Sequence, residues 1–181
     1  MLQRAQLVSE LEAFHDAGAS SFVGYPSDRE SARDRWAEAF TTYVSELECL
    51  DPLLSPTDGA TFALVEAAFR GPLTLLNKMS AAATAAEFSA AWLAGVSAIL
   101  LLGAPATYSA LPVSAIIWNP PTQLSDRKNQ LESALTALFQ APAINPSVRL
   151  QAIAAAFHLA TTALTAQAAL PAGATQVLTY G

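Results

Sequence analysis

Long stretches of the second half of this chain contain no charged residue. The sequence has nine Lys and Arg and 15 Asp and Glu among 181 residues, and none of them lies between Phe88 and Ser125 or between Leu150 and Gly181. The charged share is 13%, whereas soluble domains average about 25%. Such a neutral second half indicates that much of it packs against protein or another apolar environment rather than against water.

Cysteine and histidine are also scarce. Cys49 is the only cysteine, so an internal disulfide and a cysteine-based zinc site are excluded. Glu12 and His15 have the helical spacing of half a di-iron carboxylate site, but the full motif needs a second such pair and two further carboxylates. The other histidine, His158, lacks a nearby acid in the sequence. We therefore predict no metal site and no cofactor, and we interpret both histidines as packing or surface residues.

Motifs for catalysis and for phosphate binding are missing as well. Gly95-Val-Ser97-Ala-Ile99 lacks the second glycine of a nucleophile elbow, and neither a Walker A loop nor a Gly-x-Gly-x-x-Gly loop occurs. The net charge is −6 and the pI about 4.7, which argues against direct nucleic-acid binding because phosphate contacts need clustered Lys and Arg. We predict no catalytic residue and no enzymatic activity.

The N-terminus lacks a basic region followed by an apolar core, so it does not have the pattern of a signal peptide. On this basis the protein is expected not to be secreted.

The spacing of apolar residues predicts an all-α fold, a single-domain bundle of five or six helices. Gly71-Pro72 is expected to break or kink the third helix, and Ser27, Ser80 and Ser125 are expected to cap helices. Residues 1–170 are assigned to the helical domain and 171–181 to an extended C-terminal arm. A long segment near 103–124 is expected to be irregular apart from a short helix near 109–117. The predicted helices span residues 2–16, 27–50, 58–79, 80–102, 126–140 and 146–169.

The 80–102 helix is apolar on all sides, which is typical of a helix at the centre of a bundle or inside a membrane. Its uncharged part, Phe88–Leu102, has 15 residues, whereas a membrane span needs about 20. Gly103 and Pro105 prevent its extension. We therefore expect a central core helix and no membrane partner. The alternative is a membrane-active protein that inserts 82–117 as a hairpin.

The last predicted helix carries a stripe of polar but uncharged residues. A face exposed to water usually carries Lys or Glu, so an amide- and hydroxyl-bearing face is typical of a packed contact between subunits. The uncharged C-terminal arm favours extended structure and would gain stability on a neighbouring subunit. The candidate subunit interface comprises Gln151, His158, Thr162, Thr165, Thr175, Val177, Leu178 and Tyr180.

Three short patterns carry a resemblance to a known class of proteins. They are Trp-Ala-Glu-Ala-Phe at 36–40, Ala-Ala-Ala-Phe at 154–157 and the uncharged ending Thr-Gln-Val-Leu-Thr-Tyr at 175–180. In an acidic, Ala-rich helical chain, they resemble small virion proteins of tailed bacteriophages, from the neck, tail or baseplate. The resemblance implies a homo-oligomeric structural subunit that bridges other virion proteins, without catalysis. It also implies synthesis in the host cytoplasm and incorporation into the virion.

A third hypothesis comes from the tryptophans. Trp36, Trp92 and Trp118 are expected to anchor the core, but they would also suit a pocket for a small molecule. Ligand-dependent tryptophan fluorescence would distinguish this possibility from assembly and from membrane insertion.

Overall fold

The computed structural model describes nine segments of the chain. They are residues 3–46, 59–74, 80–102, 107–108, 111–112, 115–118, 121–142, 145–169 and 175–179. These segments contain six helices, which form the all-α bundle predicted from the sequence. Five short strands accompany the bundle.

The first two helices are α1 (Arg4–His15) and α2 (Arg29–Ser45). Leu7, Leu11 and Phe14 form the buried face of α1, as the spacing predicted. The N-cap of α2 is Asp28, whose Oδ1 accepts a hydrogen bond from the Ser31 amide at 2.7 Å. The prediction of Ser27 as the cap was therefore wrong by one residue. An Asp cap also places a negative charge at the positive end of the helix dipole.

Helix α3 (Gly59–Arg70) ends at the position where the sequence predicted a break or a kink. Residues 71–74 are not helical, because Pro72 has no amide hydrogen with which to continue the helix. The predicted continuation to residue 79 is thus wrong at 71–74, and 75–79 lie outside the described residues. Helix α3 packs on α2 and on α4.

Helix α4 (Ala81–Leu102) is the central helix, as expected, and contacts α2, α3 and α5. Trp92 and Val96 are fully buried on it. The Ser80 hydroxyl accepts a hydrogen bond from the Ala83 amide at 3.3 Å, as expected of an N-cap. Gly95 allows a close approach of α3, because a Cβ there would lie 2.3 Å from atoms of the Phe69 ring.

The last two helices, α5 (Pro121–Gln140) and α6 (Pro146–Thr162), pack on each other. Helix α5 begins before Ser125, so the predicted start at residue 126 was wrong; proline is well suited to the first position of a helix. Helix α6 begins as predicted, with Asn145 accepting a hydrogen bond from the Ser147 amide at 2.9 Å. It also packs on α1. Phe157 on α6 stacks on Phe40 of α2 with ring centroids 4.2 Å apart.

Strands replace two predicted helical stretches. Antiparallel β1 (Thr107–Tyr108) and β2 (Leu111–Pro112) form one pair. A second sheet has the order β3 (Ala115–Trp118), β4 (Thr165–Ala169) and β5 (Thr175–Thr179), with antiparallel neighbours. The short helix predicted near 109–117 is therefore wrong, as is the continuation of the last helix through 163–169. We call the three-stranded sheet the neutral sheet, because its strands contain no charged residue.

Candidate functional site

The predicted interface stripe on α6 makes hydrogen bonds within the chain. His158 Nδ1 lies 2.8 Å from the Tyr43 hydroxyl on α2. Thr162 donates to the His158 carbonyl oxygen at 2.8 Å. Gln151 is exposed, and its amide is 3.5 Å from the Ser147 hydroxyl. Two of these polar residues thus have partners inside the bundle, and Gln151 lies at the surface.

The Tyr43 and His158 pair is uncharged at neutral pH. Burial raises the pKa of the Tyr43 phenol, against a smaller opposing effect from a hydrogen bond with Thr161. Burial lowers the pKa of His158, and the positive charge of Arg4 lowers it further. With the phenol and the imidazole both uncharged, the contact is a neutral hydrogen bond that joins α2 to α6.

Trp92 and Thr161 form a second buried contact beside this pair, which the sequence analysis did not predict. The Trp92 indole Nε1 donates to Thr161 Oγ1 at 3.0 Å. The Thr161 hydroxyl in turn donates to the Phe157 carbonyl oxygen at 2.9 Å. The sequence signal is the position of Thr161, which follows the buried residues Ile153 and Phe157 at helical spacing. These bonds connect the central helix α4 to α6.

The other predicted interface residues lie in the neutral sheet. Thr165 is the first residue of β4, so it does not share a helical stripe with Thr162. Thr175, Val177 and Leu178 belong to β5, where Val177 pairs with Gln167 and Leu178 with Ala166. Tyr180 lies outside the described residues. The sheet therefore brings together Thr165 and the C-terminal residues, while Gln151, His158 and Thr162 remain on α6.

Gln123 attaches the neutral sheet to the bundle. Its amide Nε2 donates to Thr165 Oγ1, and its Oε1 accepts from the Thr165 backbone amide, both at 3.3 Å. A single side chain on α5 therefore holds the first residue of β4 by two hydrogen bonds. Beyond isolated contacts, no helix of the described segments packs along β3, β4 or β5.

Both outer strands of the neutral sheet have one unpaired edge within the described residues. Strand β4 is central and pairs with β3 and with β5, whereas each outer strand pairs with β4 alone in this sheet. Edge strands of soluble proteins commonly carry charges, which prevent pairing with other chains. Neither β3 nor β5 contains one. Backbone amides and carbonyls at such an edge can add a further strand.

The helical bundle also contains a cavity, which is lined in part by aromatic rings. Two pockets of about 530 Å³ and about 320 Å³ share part of their lining. We call them together the aromatic chamber, and each of them a lobe. The residues that line both lobes are His15, Trp36, Phe139 and Ile153. Phe88 lines the larger lobe, with its ring centroid 4.7 Å from that of Trp36.

Polar groups line this chamber at a few points. Within the described part of the chain, His15 Nε2 is buried without a hydrogen-bond partner, and burial lowers the pKa of His15. Arg149 lines the smaller lobe, and its Nε is likewise buried and unpartnered. Asp28 lines the larger lobe, but its carboxylate already accepts hydrogen bonds as the cap of α2.

The described residues hold no group of three or more His, Cys, Asp or Glu that could bind a metal ion. Glu12, considered above as half of a di-iron pair, instead accepts a hydrogen bond from the Ser147 hydroxyl at 3.0 Å. This bond links α1 to the start of α6.

One helix among the described residues meets the length and hydropathy criteria of a membrane span. It covers Ala81–Leu100 of α4, and 50% of its most apolar window is buried inside the bundle. The central helix of a soluble bundle meets the same criteria.

Comparison of the chain with protein-family models, curated proteins and solved structures gives no significant match. The functional proposals therefore depend on the residues of this chain alone.

Proposed function

We propose that this protein is a structural subunit of a homo-oligomeric assembly and that copies join through the edges of the neutral sheet. The observation that carries the proposal is an uncharged three-stranded sheet with two open edges. A sheet of three strands is stable alone when it has a hydrophobic face or packs against a helix, and no helix of the described segments packs along this one. A neighbouring copy would supply strands through β-augmentation, with main-chain hydrogen bonds providing the affinity.

The distribution of charge favours a second copy as the partner. Residues 1–87 contain six Lys and Arg and 13 Asp and Glu, a net charge of −7, whereas residues 88–181 contain three and two, a net charge of +1. Two copies that met through their first halves would repel each other. They can approach through the neutral sheet without this repulsion.

Exposed apolar residues on α6 also support a contact between copies at this part of the molecule. Leu159 is 68% exposed and Val148 is 52% exposed, although both are large apolar residues. Arg149 is the only Asp, Glu, Lys or Arg on this helix. Exposed apolar side chains that continue toward an uncharged sheet are typical of contact surfaces between proteins.

The assembly we propose is the virion of a tailed phage, in which this subunit bridges neighbouring subunits or rings of the neck, tail or baseplate. Support for this finer assignment comes from the resemblance in sequence pattern described above. Neither an active site nor a cofactor has a role in such a protein.

A lysine placed on β5 tests the sheet contact. Val177→Lys adds a charge to the edge strand and should disfavour addition of another strand. The expected result is a multimer for the unchanged protein and a shift of Val177→Lys toward monomer, measured by light scattering during size-exclusion chromatography.

Asn129→Lys is the matched control, because it adds the same charge at an exposed position of α5. It should leave the multimer intact. Far-UV circular dichroism should show equal helix content in all three proteins. Equal masses for Val177→Lys and Asn129→Lys would contradict the proposed contact.

Membrane action is the second candidate, and the apolar length of α4 is the observation that favours it. It predicts co-flotation of the protein with liposomes and recovery from cells only in detergent. A charge at Val96 is a poor test, because Val96 is fully buried and the variant would unfold the bundle. Failure to bind liposomes would exclude this candidate.

A further inference from the structure

The aromatic chamber has features of a ligand site that the assembly role does not require. Its lobes, of about 530 Å³ and 320 Å³, have the size of small-molecule pockets, which usually measure about 300–1,000 Å³. Trp36 and Phe88 are almost entirely buried, and both line the larger lobe. These two buried rings form part of the floor of a cavity that opens to solvent.

The rings around the chamber form a connected aromatic wall. The centroid of Trp36 lies 5.0 Å from that of His15 and 4.7 Å from that of Phe88. Phe88 in turn lies 6.0 Å from Phe139. Aromatic rings prefer tilted or edge-to-face neighbours at such distances, so a planar ligand ring that rests on the accessible side of this wall would find favourable contacts.

Arg149 supplies an uncompensated positive charge at this wall. Its Nε is buried and has no hydrogen-bond partner among the described residues. The nearby Asp28 carboxylate is engaged by the Ser31 amide and the Ser27 hydroxyl. A buried polar group without a partner costs stability, so a hydrogen-bond acceptor supplied from outside would be stabilising.

We propose that the aromatic chamber binds a small aromatic carboxylate, with the ring against Trp36, Phe88 and Phe139 and the carboxylate on Arg149. A guanidinium binds a carboxylate with two parallel hydrogen bonds. Arg29 and Asp28 line the larger lobe with opposite charges, so Arg149 is the net positive charge of the described lining. One net positive charge favours a monoanion over a phosphate dianion, because burying an unbalanced charge is costly.

The probe is 2-naphthoate, and the measurement is isothermal titration calorimetry on the full chain. We expect saturable binding with a Kd below about 1 mM. The uncharged analogue 2-naphthalenemethanol should bind at least about tenfold more weakly, since hydrogen bonds to charged groups are the stronger ones.

Two variants and a control locate the site. Arg149→Gln should weaken 2-naphthoate binding about tenfold or more. Ala32→Phe fills the larger lobe and should weaken binding of the acid and of the alcohol alike. Arg127→Gln removes the same charge from an arginine that donates a hydrogen bond to Gln130 on its own helix, and it should change the Kd less than about twofold.

Several outcomes would overturn the proposal. They are absence of binding to the folded wild-type protein, equal Kd values for Arg149→Gln and Arg127→Gln, and unchanged binding to Ala32→Phe. Circular dichroism and the unfolding midpoint verify that each variant folds. Light scattering should give Arg149→Gln the same mass as the wild type, so a failure here is separate from a failure of the proposed assembly.

Discussion

Both histidines are held in environments that disfavour their charged form. Burial lowers the pKa of His15 and of His158 below the ordinary value of 6.5, and Arg4 adds to the effect at His158. The unfolded chain therefore binds more protons than the folded chain below pH 6.5, so the free energy of unfolding falls as the pH falls. The stabilisation is complete above pH 6.5 and is lost progressively below it.

We predict that the protein is less resistant to urea at pH 5.5 than at pH 7.5. The double variant His15→Phe, His158→Asn should lose most of this difference, and each single variant should lose part of it. The pKa values of Asp28 and Glu132 are also lowered, from ordinary values of 3.8 and 4.5, so their effects appear at lower pH. A wild-type stability that is constant or rises between pH 7.5 and 5.5 would contradict the prediction.

Gly95 provides a second prediction at the scale of one residue. Alanine is favoured over glycine within helices by about 1 kcal/mol, but a Cβ at this position would lie 2.3 Å from the buried Phe69 ring. Overpacking a core typically costs about 1–3 kcal/mol. Gly95→Ala should therefore lower the free energy of unfolding, measured by urea denaturation, despite its better helix propensity.

Phe69→Leu is the partner for a double-mutant cycle. The smaller side chain should relieve the overlap, so Gly95→Ala should cost less in the Phe69→Leu background than in the wild type. If the two substitutions change the free energy of unfolding additively, the close contact with Phe69 is not the reason that residue 95 is glycine.

At the scale of elements, the apolar spacing predicted the helices of the core well. The buried stripe of α1 and the central α4 were both predictable because burial on one face, or on all faces, leaves a direct pattern in the sequence. The residues of the Tyr43 and His158 contact were not predictable as a pair, because they come from helices far apart in the chain. The aromatic chamber likewise depends on tertiary packing.

The ends of the elements were less predictable, for identifiable reasons. Ala166, Ala168 and Ala169 have high helix propensity, yet they form β4 because β3 and β5 pair with it on both sides. Pro121 was interpreted as part of an irregular segment, although proline is common at the first position of a helix. Predictions from local propensity were therefore wrong at two kinds of position. One is where strands pair over a long distance in the sequence, and the other is where a proline begins a helix.

Gln123 gives a prediction for the junction between bundle and sheet. Gln123→Ala removes both hydrogen bonds to Thr165 and should increase hydrogen exchange of the amides in β4 and β5 by mass spectrometry. Exchange in α4 should be unchanged. Gln130→Ala, an exposed glutamine on the same helix, is the control. Equal exchange in the two variants would show that Gln123 does not hold the sheet.

At the scale of the whole molecule, the chain separates its charge from its neutral surface. The first half carries the net negative charge, while the neutral sheet and most of α6 carry none. A soluble monomer has no evident need for this division, whereas an assembly requires one part that faces water and one that faces its neighbours. The proposed assembly explains the charge distribution, the open sheet edges and the exposed Leu159 together.

The mass of the purified protein without detergent, measured by light scattering during size-exclusion chromatography, tests this central claim most directly. The chain has a mass of 18.9 kDa. The account predicts a defined multiple of that mass for the unchanged protein, and a lower mass with retained helix content after deletion of 171–181. A stable species of 18.9 kDa at all concentrations would contradict assembly of this chain with itself.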